Sequence, residues 1–174
     1  MIVVNKIWEG LRQEGLNYGL PTTFLELGEG VPYSTTEELV KVLITNTKCK
    51  WICIRGEGTT QVGMGTLIRG LSSIGVYTEI EIDGSVRDPG WLHSVDRWIV
   101  DYQPQLVFNI GSLRSQDMIR YTVNCREDLP VVELAFEKQK AFTGTKYVKT
   151  SDKELLKVCF DFVRKYERGR LYLC

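Results

Sequence analysis

Short runs of β-branched and aromatic residues alternate with segments whose apolar residues recur at helical spacing, and this alternation constrains the fold more than any other feature. It is typical of β/α units, in which a helix returns the chain so that the next strand pairs in parallel with the last. We therefore predict an α/β fold with a mostly parallel sheet. The predicted strands lie near residues 2–7, 22–27, 50–55, 76–82, 97–101, 106–110, 131–136 and 170–173.

Capping signals place the helices between these strands. Ser34-Thr35-Thr36-Glu37 and Ser151-Asp152-Lys153-Glu154 each have the capping-box pattern of a helix start. Gly75 suits the left-handed backbone conformation that follows a helix C-terminus. The predicted helices begin near residues 34, 62, 115 and 151, and 138–151 is predicted to be a surface loop.

Composition limits the classes of function. The 174 residues show no compositional break, so we interpret 1–174 as a single domain, and 22 basic residues balance 22 acidic ones. A neutral chain has no global field that attracts nucleic acid or an anionic membrane, so we expect neither as a partner. The apolar start MIVV is too short for a signal peptide or a membrane span, which favours a cytoplasmic protein. Five cysteines, an odd number, do not form a secreted disulfide framework.

Residues 54–61 run from a predicted strand into a turn that carries Gly56 and Gly58. Glycines let backbone N–H groups approach an anionic or zwitterionic ligand closely. In that arrangement Glu57 would hold a cationic amine. A turn that serves only the strand-to-helix geometry is the alternative, and the residues leave both interpretations open.

Acidic residues mark two further strands. One strand alternates apolar residues with Tyr77, Glu79, Glu81 and Asp83, which therefore share a face. That face lines a ligand cavity if the sheet curls into a barrel, and is a solvated strand face if it does not. Asp101 falls at the C-terminal end of a strand, where α/β folds concentrate ligand groups, although a cap or salt bridge explains it equally well.

Cys49 and Cys53 have the spacing C-x-x-x-C, and we predict both on the strand before the Gly56-Glu57 turn. Strand residues four apart are separated by about 13 Å at roughly 3.3 Å per residue, so their thiols do not converge on one iron–sulfur cluster. We interpret both cysteines as structural, since free cysteine is among the most buried residue types.

Four blocks of sequence occur in the order of a known family. They are VNKIWEGLRQEGLNYGLPTTFLEL at 4–27, RGEGTTQ at 55–61, EIDGS at 81–85 and VDRWIVDYQ at 95–103. They resemble the motifs Q-G-E-G…F-I-R-L, G-G-E-P-x-x-Q, E-T-N-G-S and V-D-x-x-V-x-D-x-K of the 7-carboxy-7-deazaguanine synthases, radical S-adenosylmethionine enzymes of queuosine biosynthesis. The resemblance implies an incomplete, TIM-like β/α barrel of the radical S-adenosylmethionine type, usually homodimeric, with S-adenosylmethionine and a 4Fe–4S cluster as cofactors.

The chain departs from that family at positions the chemistry needs. The family's F-I-R-L is followed by a loop whose cysteines hold the cluster, whereas Leu27 is followed here by GEGVPY and then the first helix. Glu26 replaces an arginine suited to a substrate carboxylate, Arg55 replaces a glycine, Asp83 replaces an asparagine and Gln103 replaces a lysine. Without the cluster no electron reaches S-adenosylmethionine, so we expect no radical activity and neither cofactor.

Our leading hypothesis is a cluster-less homologue of these synthases that binds a small nucleoside-like or pterin-like ligand, or a protein partner, and is a homodimer. The contacts carried over from the resemblance are Glu14, Gly56, Glu57, Glu81, Asp83 and Asp101.

Two alternatives stay open. The first is an enzyme that reuses the barrel cavity with a divalent metal on Glu79, Glu81, Asp83 or Asp101, whose carboxylates suit Mg²⁺ or Mn²⁺. The second is a radical enzyme whose cluster is completed by cysteines of another chain, such as Cys174.

Overall fold

A computed structural model describes residues 1–14, 16–59, 61–87, 89–104, 108–166 and 169–173, with only the backbone of 171–173. The strands are β1 Ile2–Leu11, β2 Pro21–Tyr33, β3 Trp51–Gly56, β4 Tyr77–Asp83, β5 Arg97–Asp101, β6 Met118–Thr122, β7 Thr145–Thr150 and β8 Gly169–Leu173. The helices are α1 Thr36–Asn46, α2 Met64–Ser73, α3 Asp128–Lys138 and α4 Lys153–Val163, with single 3-10 turns at Leu92–Ser94 and Ile110–Ser112.

These elements confirm the predicted α/β class. The strands form a mostly parallel sheet whose order follows the chain from β1 to β8 without closing, as in an incomplete barrel. β1 and β2 pair antiparallel, and the other described pairings are parallel. No helix in the described part of the chain is both long and apolar enough to cross a bilayer.

The chain divides into two compact units, residues 1–82 with 89–98 and residues 83–88 with 99–174. The single-domain interpretation stays a prediction. Each unit is described by itself below.

In the first unit, the pairing register of the strands lines up apolar side chains in one row across the sheet and places a more polar row beside it. Leu25 pairs with Ile54 and Ile54 with Ile80, and all three side chains are fully buried. One residue away along each strand, Phe24 pairs with Cys53 and Cys53 with Glu79. Because successive side chains of a strand point to opposite faces, this polar row lies on the face opposite the apolar one.

The helices of this unit begin and end much as their sequences predict. The hydroxyl of Thr35, one residue later than the predicted cap, accepts a hydrogen bond of 3.1 Å from the backbone N–H of Glu38 at the start of α1. Gly75 follows α2 with a φ of +77°, as expected for a residue just beyond a helix C-terminus.

The second unit contains β6 to β8 with α3 and α4, and the end of β5. Its core is aromatic: Tyr121 packs on Phe136 with ring centroids 4.7 Å apart, and Phe136 meets Phe162 edge-on at 5.3 Å. Asp101, Arg120 and Tyr147 are paired in register across β5, β6 and β7.

The strand predicted over 131–136 is wrong, because these residues lie inside α3. Val132, Ala135 and Phe136 are buried at the spacing i, i+3, i+4, whereas Val131 is exposed. This spacing is helical, and the β-branched pair at the start of the run was misleading.

Two further expectations about the second half of the chain are wrong. The residues after Ser115 form β6 and no helix, and the loop predicted over 138–151 contains β7. Buried Tyr147 and Val148 place β7 in the core, although lysines flank them at both ends. Polar composition alone therefore failed to identify this strand.

The strand predicted over 106–110 is not seen where the chain is described. Residues 106 and 107 lie outside the described residues, and residues 108–110 form no strand.

Candidate functional site

A buried cluster of charged side chains centres on Arg12, the residue that follows β1. Its Nε lies 2.9 Å from Oε1 of Glu79, an ion pair whose angles depart from those of a hydrogen bond, and its Nη2 lies 2.5 Å from Oε1 of Glu81. Asn17 donates from Nδ2 to Oε2 of Glu79 at 3.3 Å, and Arg97 donates from Nη1 to the same oxygen at 3.4 Å. We call Arg12, Asn17, Cys53, Glu79, Glu81 and Arg97 the Arg12 cluster.

The cluster contains two arginines and two glutamates, so its formal charges balance when both acids are ionised. Burial raises the pKa of Glu79, and the neighbouring arginines lower it only in part. Burial opposes the charge on Arg12, but the groups at Cys53, Glu79 and Glu81 outweigh that effect and raise the arginine pKa. Arg12 therefore stays charged at any pH at which the protein works.

Cys53 lies on the same face as the two glutamates, because it is the register partner of Glu79. Its Sγ lies 3.5 Å from Oε1 of Glu81, and the side chain is fully buried. Burial raises the pKa of this thiol well above its ordinary value, and the charge of Glu81 raises it further. A buried thiol that holds its proton is a poor nucleophile, which favours the predicted structural role.

The thiol of Cys53 and the carboxylates of Glu79 and Glu81 each offer an atom within 4.8 Å of the others, which is a spacing that suits a metal ion. The guanidinium of Arg12 already lies against both carboxylates. A divalent ion would therefore have to compete with Arg12 for its ligands.

A cavity of about 240 Å³, which we call the Trp8 pocket, includes Arg12 in its wall. Trp8 and Phe24 stack with ring centroids 5.1 Å apart and planes 14° from parallel. The Arg55 guanidinium lies 4.9 Å from the Trp8 ring and 5.6 Å from the Phe24 ring. The other lining residues are Gly10, Leu11, Gln13 and Glu14.

The contacts carried over from the resemblance do not all meet at this pocket. Glu14 is half-buried and lines it. Glu57 is exposed in the turn after β3 and is not part of the described lining. Gly56 has a φ of +97°, and a Cβ built there would lie 2.3 Å from the carbonyl oxygen of Leu27. The local backbone conformation and packing therefore explain why this residue is glycine.

The four acids predicted as metal ligands are divided between the two compact units. Glu79 and Glu81 are buried together in the first unit, which contradicts a solvated face for these two residues. Asp83 and Asp101 belong to the second unit. There Asp83 is exposed and accepts from the N–H of Ser85 at 2.8 Å, while Asp101 accepts from Nη2 of Arg120 at 2.6 Å.

The two cysteines of the C-x-x-x-C pair contact different carboxylates. Cys49 precedes β3, so its expected place on the strand is wrong, and its Sγ lies 3.5 Å from Oε1 of Glu9. Cys53 contacts Glu81 instead. Cys49 is also only partly buried, so core packing describes Cys53 and not Cys49. Cys174 lies outside the described residues.

Sequence reasoning missed the residues that organise this site. Arg12, Asn17 and Arg97 meet at Glu79 from distant parts of the chain, and no local pattern signals that meeting. Trp8 carried a usable signal, because it directly follows the strand predicted over 2–7 and lies in the same sequence block as Glu14.

Comparison with known proteins supports the fold. The interpretation of the site rests on its geometry. No protein-family model and no curated protein sequence matches the chain. The crystal structure of QueE from Escherichia coli superposes with a TM-score of 0.70, at 15% sequence identity, over 99% of this chain and 94% of that one. The chain has a QueE-like fold. At this identity the similarity concerns architecture alone.

Within the QueE-like fold, the segment after Leu27 continues as part of a strand. Val31, Pro32 and Tyr33 pair with Val4, Val3 and Ile2, so this end of β2 is paired with the start of β1. In the family that the sequence resembles, a cysteine-bearing loop follows this point. In this chain the segment after Leu27 belongs to a paired strand and contains no cysteine.

Proposed function

We propose that this chain is a cluster-less relative of the 7-carboxy-7-deazaguanine synthases that has no radical activity and binds a small nucleoside-like or pterin-like ligand. The Trp8 pocket is the observation that carries the proposal. The QueE-like fold and the strand pairing of Val31, Pro32 and Tyr33 support the relationship and the loss of the cluster loop.

The chemistry of the pocket suits a flat heteroaromatic ring. Trp8 and Phe24 give an aromatic wall, and the Arg55 guanidinium adds a flat cation beside it. Aromatic rings and guanidinium planes both stack on planar ligands. The volume of about 240 Å³ lies below the roughly 300–1,000 Å³ of pockets for drug-sized molecules, which favours a single ring system over a large cofactor.

Glu14 provides the polar recognition. A carboxylate accepts two hydrogen bonds side by side, which matches the adjacent ring N–H and exocyclic NH₂ donors of guanine and pterin rings. Glu14 lines the same cavity as the stacking residues. A ring stacked against Trp8 is therefore expected to direct its donor edge toward Glu14.

Ligand binding is tested by titrating pterin and guanosine and following tryptophan fluorescence. We expect Glu14→Gln and Arg55→Met to weaken binding at least about tenfold, the loss of roughly one charge-assisted contact. Glu38→Gln, an exposed glutamate of α1, is the matched control and should bind normally. If Glu57→Gln weakens binding and Glu14→Gln does not, the ligand lies at the glycine turn and the pocket is wrongly assigned. Failure of both probes to bind contradicts the proposal.

The loss of radical chemistry has a separate test. Iron and acid-labile sulfide are measured per chain after anaerobic reconstitution, and we expect values near zero. About four irons per chain, the content of a 4Fe–4S centre, would overturn this part of the proposal.

A divalent-metal enzyme is the second candidate, because Cys53, Glu79 and Glu81 have a spacing that suits a metal. It ranks lower since the guanidinium of Arg12 already lies against both carboxylates.

A further inference from the structure

The connection between β1 and β2, described at residues 12–14 and 16–20, is attached to the sheet through two buried polar side chains. Arg12 is 3% exposed and Asn17 is 5% exposed. Both reach Glu79 on β4, and Arg12 reaches Glu81 as well. These contacts join the first connection of the chain to its fourth strand.

Backbone hydrogen bonds close the connection internally. The N–H of Arg12 donates to the carbonyl of Leu20 at 3.0 Å, that of Gly19 to Arg12 at 2.7 Å, and that of Leu20 to Asn17 at 3.0 Å. Tyr18 is 70% exposed and Leu20 is 43% exposed, so these apolar side chains add little attachment, whereas Leu16 is half-buried. Arg12 and Asn17 are the buried polar side chains that attach the connection to the sheet.

The same connection forms part of the Trp8 pocket. Arg12, Gln13 and Glu14 line it together with Leu11 at the end of β1. Any movement of Arg12 away from the sheet changes this wall and moves Glu14. Glu79 and Glu81 do not line the pocket in the described structure, yet they hold the residue that does.

We propose that Glu79 and Glu81 are positioning residues: they latch the β1–β2 connection onto the sheet through Arg12 and Asn17, and so set the wall of the Trp8 pocket. The effect on ligand affinity rests on the proposed function, whereas the latch itself does not. The group that the carboxylates of Glu79 and Glu81 bind is thus the guanidinium of Arg12, a residue of the same chain.

A latch of this kind is able to open. In the closed form the charges are paired but have lost their water, and in the open form they are hydrated but separate. The cost of removing buried charges from water often cancels most of their attraction, so the two forms lie close in free energy. A ligand that contacts the closed wall then favours the closed form, and the closed form favours the ligand to the same extent.

Hydrogen exchange of the ligand-free protein tests the latch. The reporters are the amides of Arg12, Gly19 and Leu20, whose bonds lie within the connection and are expected to open more often once it is released from the sheet. We expect Glu79→Gln to speed their exchange about tenfold or more while the Tyr77 amide, bonded to the carbonyl of Lys50 at 2.8 Å, exchanges as before. Unchanged exchange at the reporters, or equal acceleration at Tyr77, would overturn the latch.

A second variant keeps the test decisive if Glu79→Gln does not fold. Asn17→Ala leaves every charge in place and removes one hydrogen bond to Glu79. It should speed exchange at the same reporters by a smaller factor, and no change there counts against the proposal. Glu38→Gln controls for the loss of a carboxylate elsewhere in the unit and should leave the reporters unaffected.

Pterin then tests the coupling. Bound pterin should slow the three reporters in the unmodified protein, and Glu79→Gln should weaken pterin binding. If pterin binds and Glu79→Gln binds it equally well, the positioning role is wrong. If pterin and guanosine do not bind but the reporters respond to Glu79→Gln, the ligand proposal fails and the latch stands.

Discussion

Arg12 and Glu79 form an ion pair that is almost wholly removed from solvent, with the side chains each 2% exposed and 2.9 Å between Nε and Oε1. The pair joins the end of β1 to β4 and shares its carboxylate with Arg97. It contributes more to stability than a surface pair does, because removing either partner upsets the balance of charges inside the protein.

Arg12→Met is therefore expected to lower the free energy of unfolding by about 3–5 kcal/mol, the usual cost of breaking a buried pair from one side. Adding Glu81→Gln to that variant should recover a large part of the loss, because the remaining charges of Glu79 and Arg97 then balance each other. Urea unfolding measures both. Lys165→Met, which removes a surface partner of Glu133 at 3.7 Å, is the control and should change little. Additive losses in the double variant would contradict the pairing.

Removal of Arg12 is also expected to expose a metal site. In Arg12→Ala the thiol of Cys53 and the carboxylates of Glu79 and Glu81 lose the guanidinium that lies against both carboxylates, and a thiolate with carboxylates suits Co²⁺ or Zn²⁺. We expect Co²⁺ to give a thiolate charge-transfer band in this variant and none when Cys53→Ser is added. Tight Co²⁺ binding with the same band in the unmodified protein would instead support the metal-enzyme alternative.

Gly56→Ala should destabilise the protein by about 1–3 kcal/mol, the cost of a strained backbone conformation at a residue with a side chain. Its φ is +97°, and the added Cβ would lie 2.3 Å from the carbonyl oxygen of Leu27. Gly90→Ala is the matched control, since a Cβ there meets nothing within 4 Å. Equal stability of the two variants in urea would show that Gly56 is not constrained in this way.

The hydrogen bonds of Asp128 predict that the free energy of unfolding falls at acid pH. Its carboxylate accepts from the backbone N–H groups of Asn124 at 2.8 Å and Cys125 at 3.1 Å, and these bonds lower its pKa below the ordinary 3.8. The stabilisation is present above pH 3.8 and is lost as the pH falls through the lowered pKa. Asp128→Asn should cost about 1 kcal/mol at neutral pH, and the difference from the unmodified protein should shrink in acid. A difference that stays constant with pH would contradict this assignment.

The first half of the fold could be predicted because its signals are local. β1 to β5 carry alternating or apolar runs of residues. α1 begins after a capping residue, and α2 is followed by a glycine. In the second half, Val131–Phe136 has β-branched residues in a helix, and β7 has lysines in a buried strand. There the packing of the aromatic core overrides local preference.

The candidate site was predictable only in part, for the same reason. Alternation along β4 correctly placed Glu79 and Glu81 on one face. The guanidinium that meets them comes from Arg12, far away in the sequence, and its partner choice follows from the register of the sheet. A pattern of spacing identifies residues that share a face but gives no sign of which distant side chain will pack against them.

The antiparallel pairing of β1 with β2 also affects the route by which the first unit folds. Two strands joined by a short connection close a small loop and need no crossover helix, so they lose less entropy on pairing than β2 with β3 or β3 with β4. Substitutions between β1 and β2 are then expected to slow folding, with φ-values near one, and Arg12→Met is expected mainly to speed unfolding. On this route the hairpin is expected to form first, with its arginine in water until β4 brings the two carboxylates.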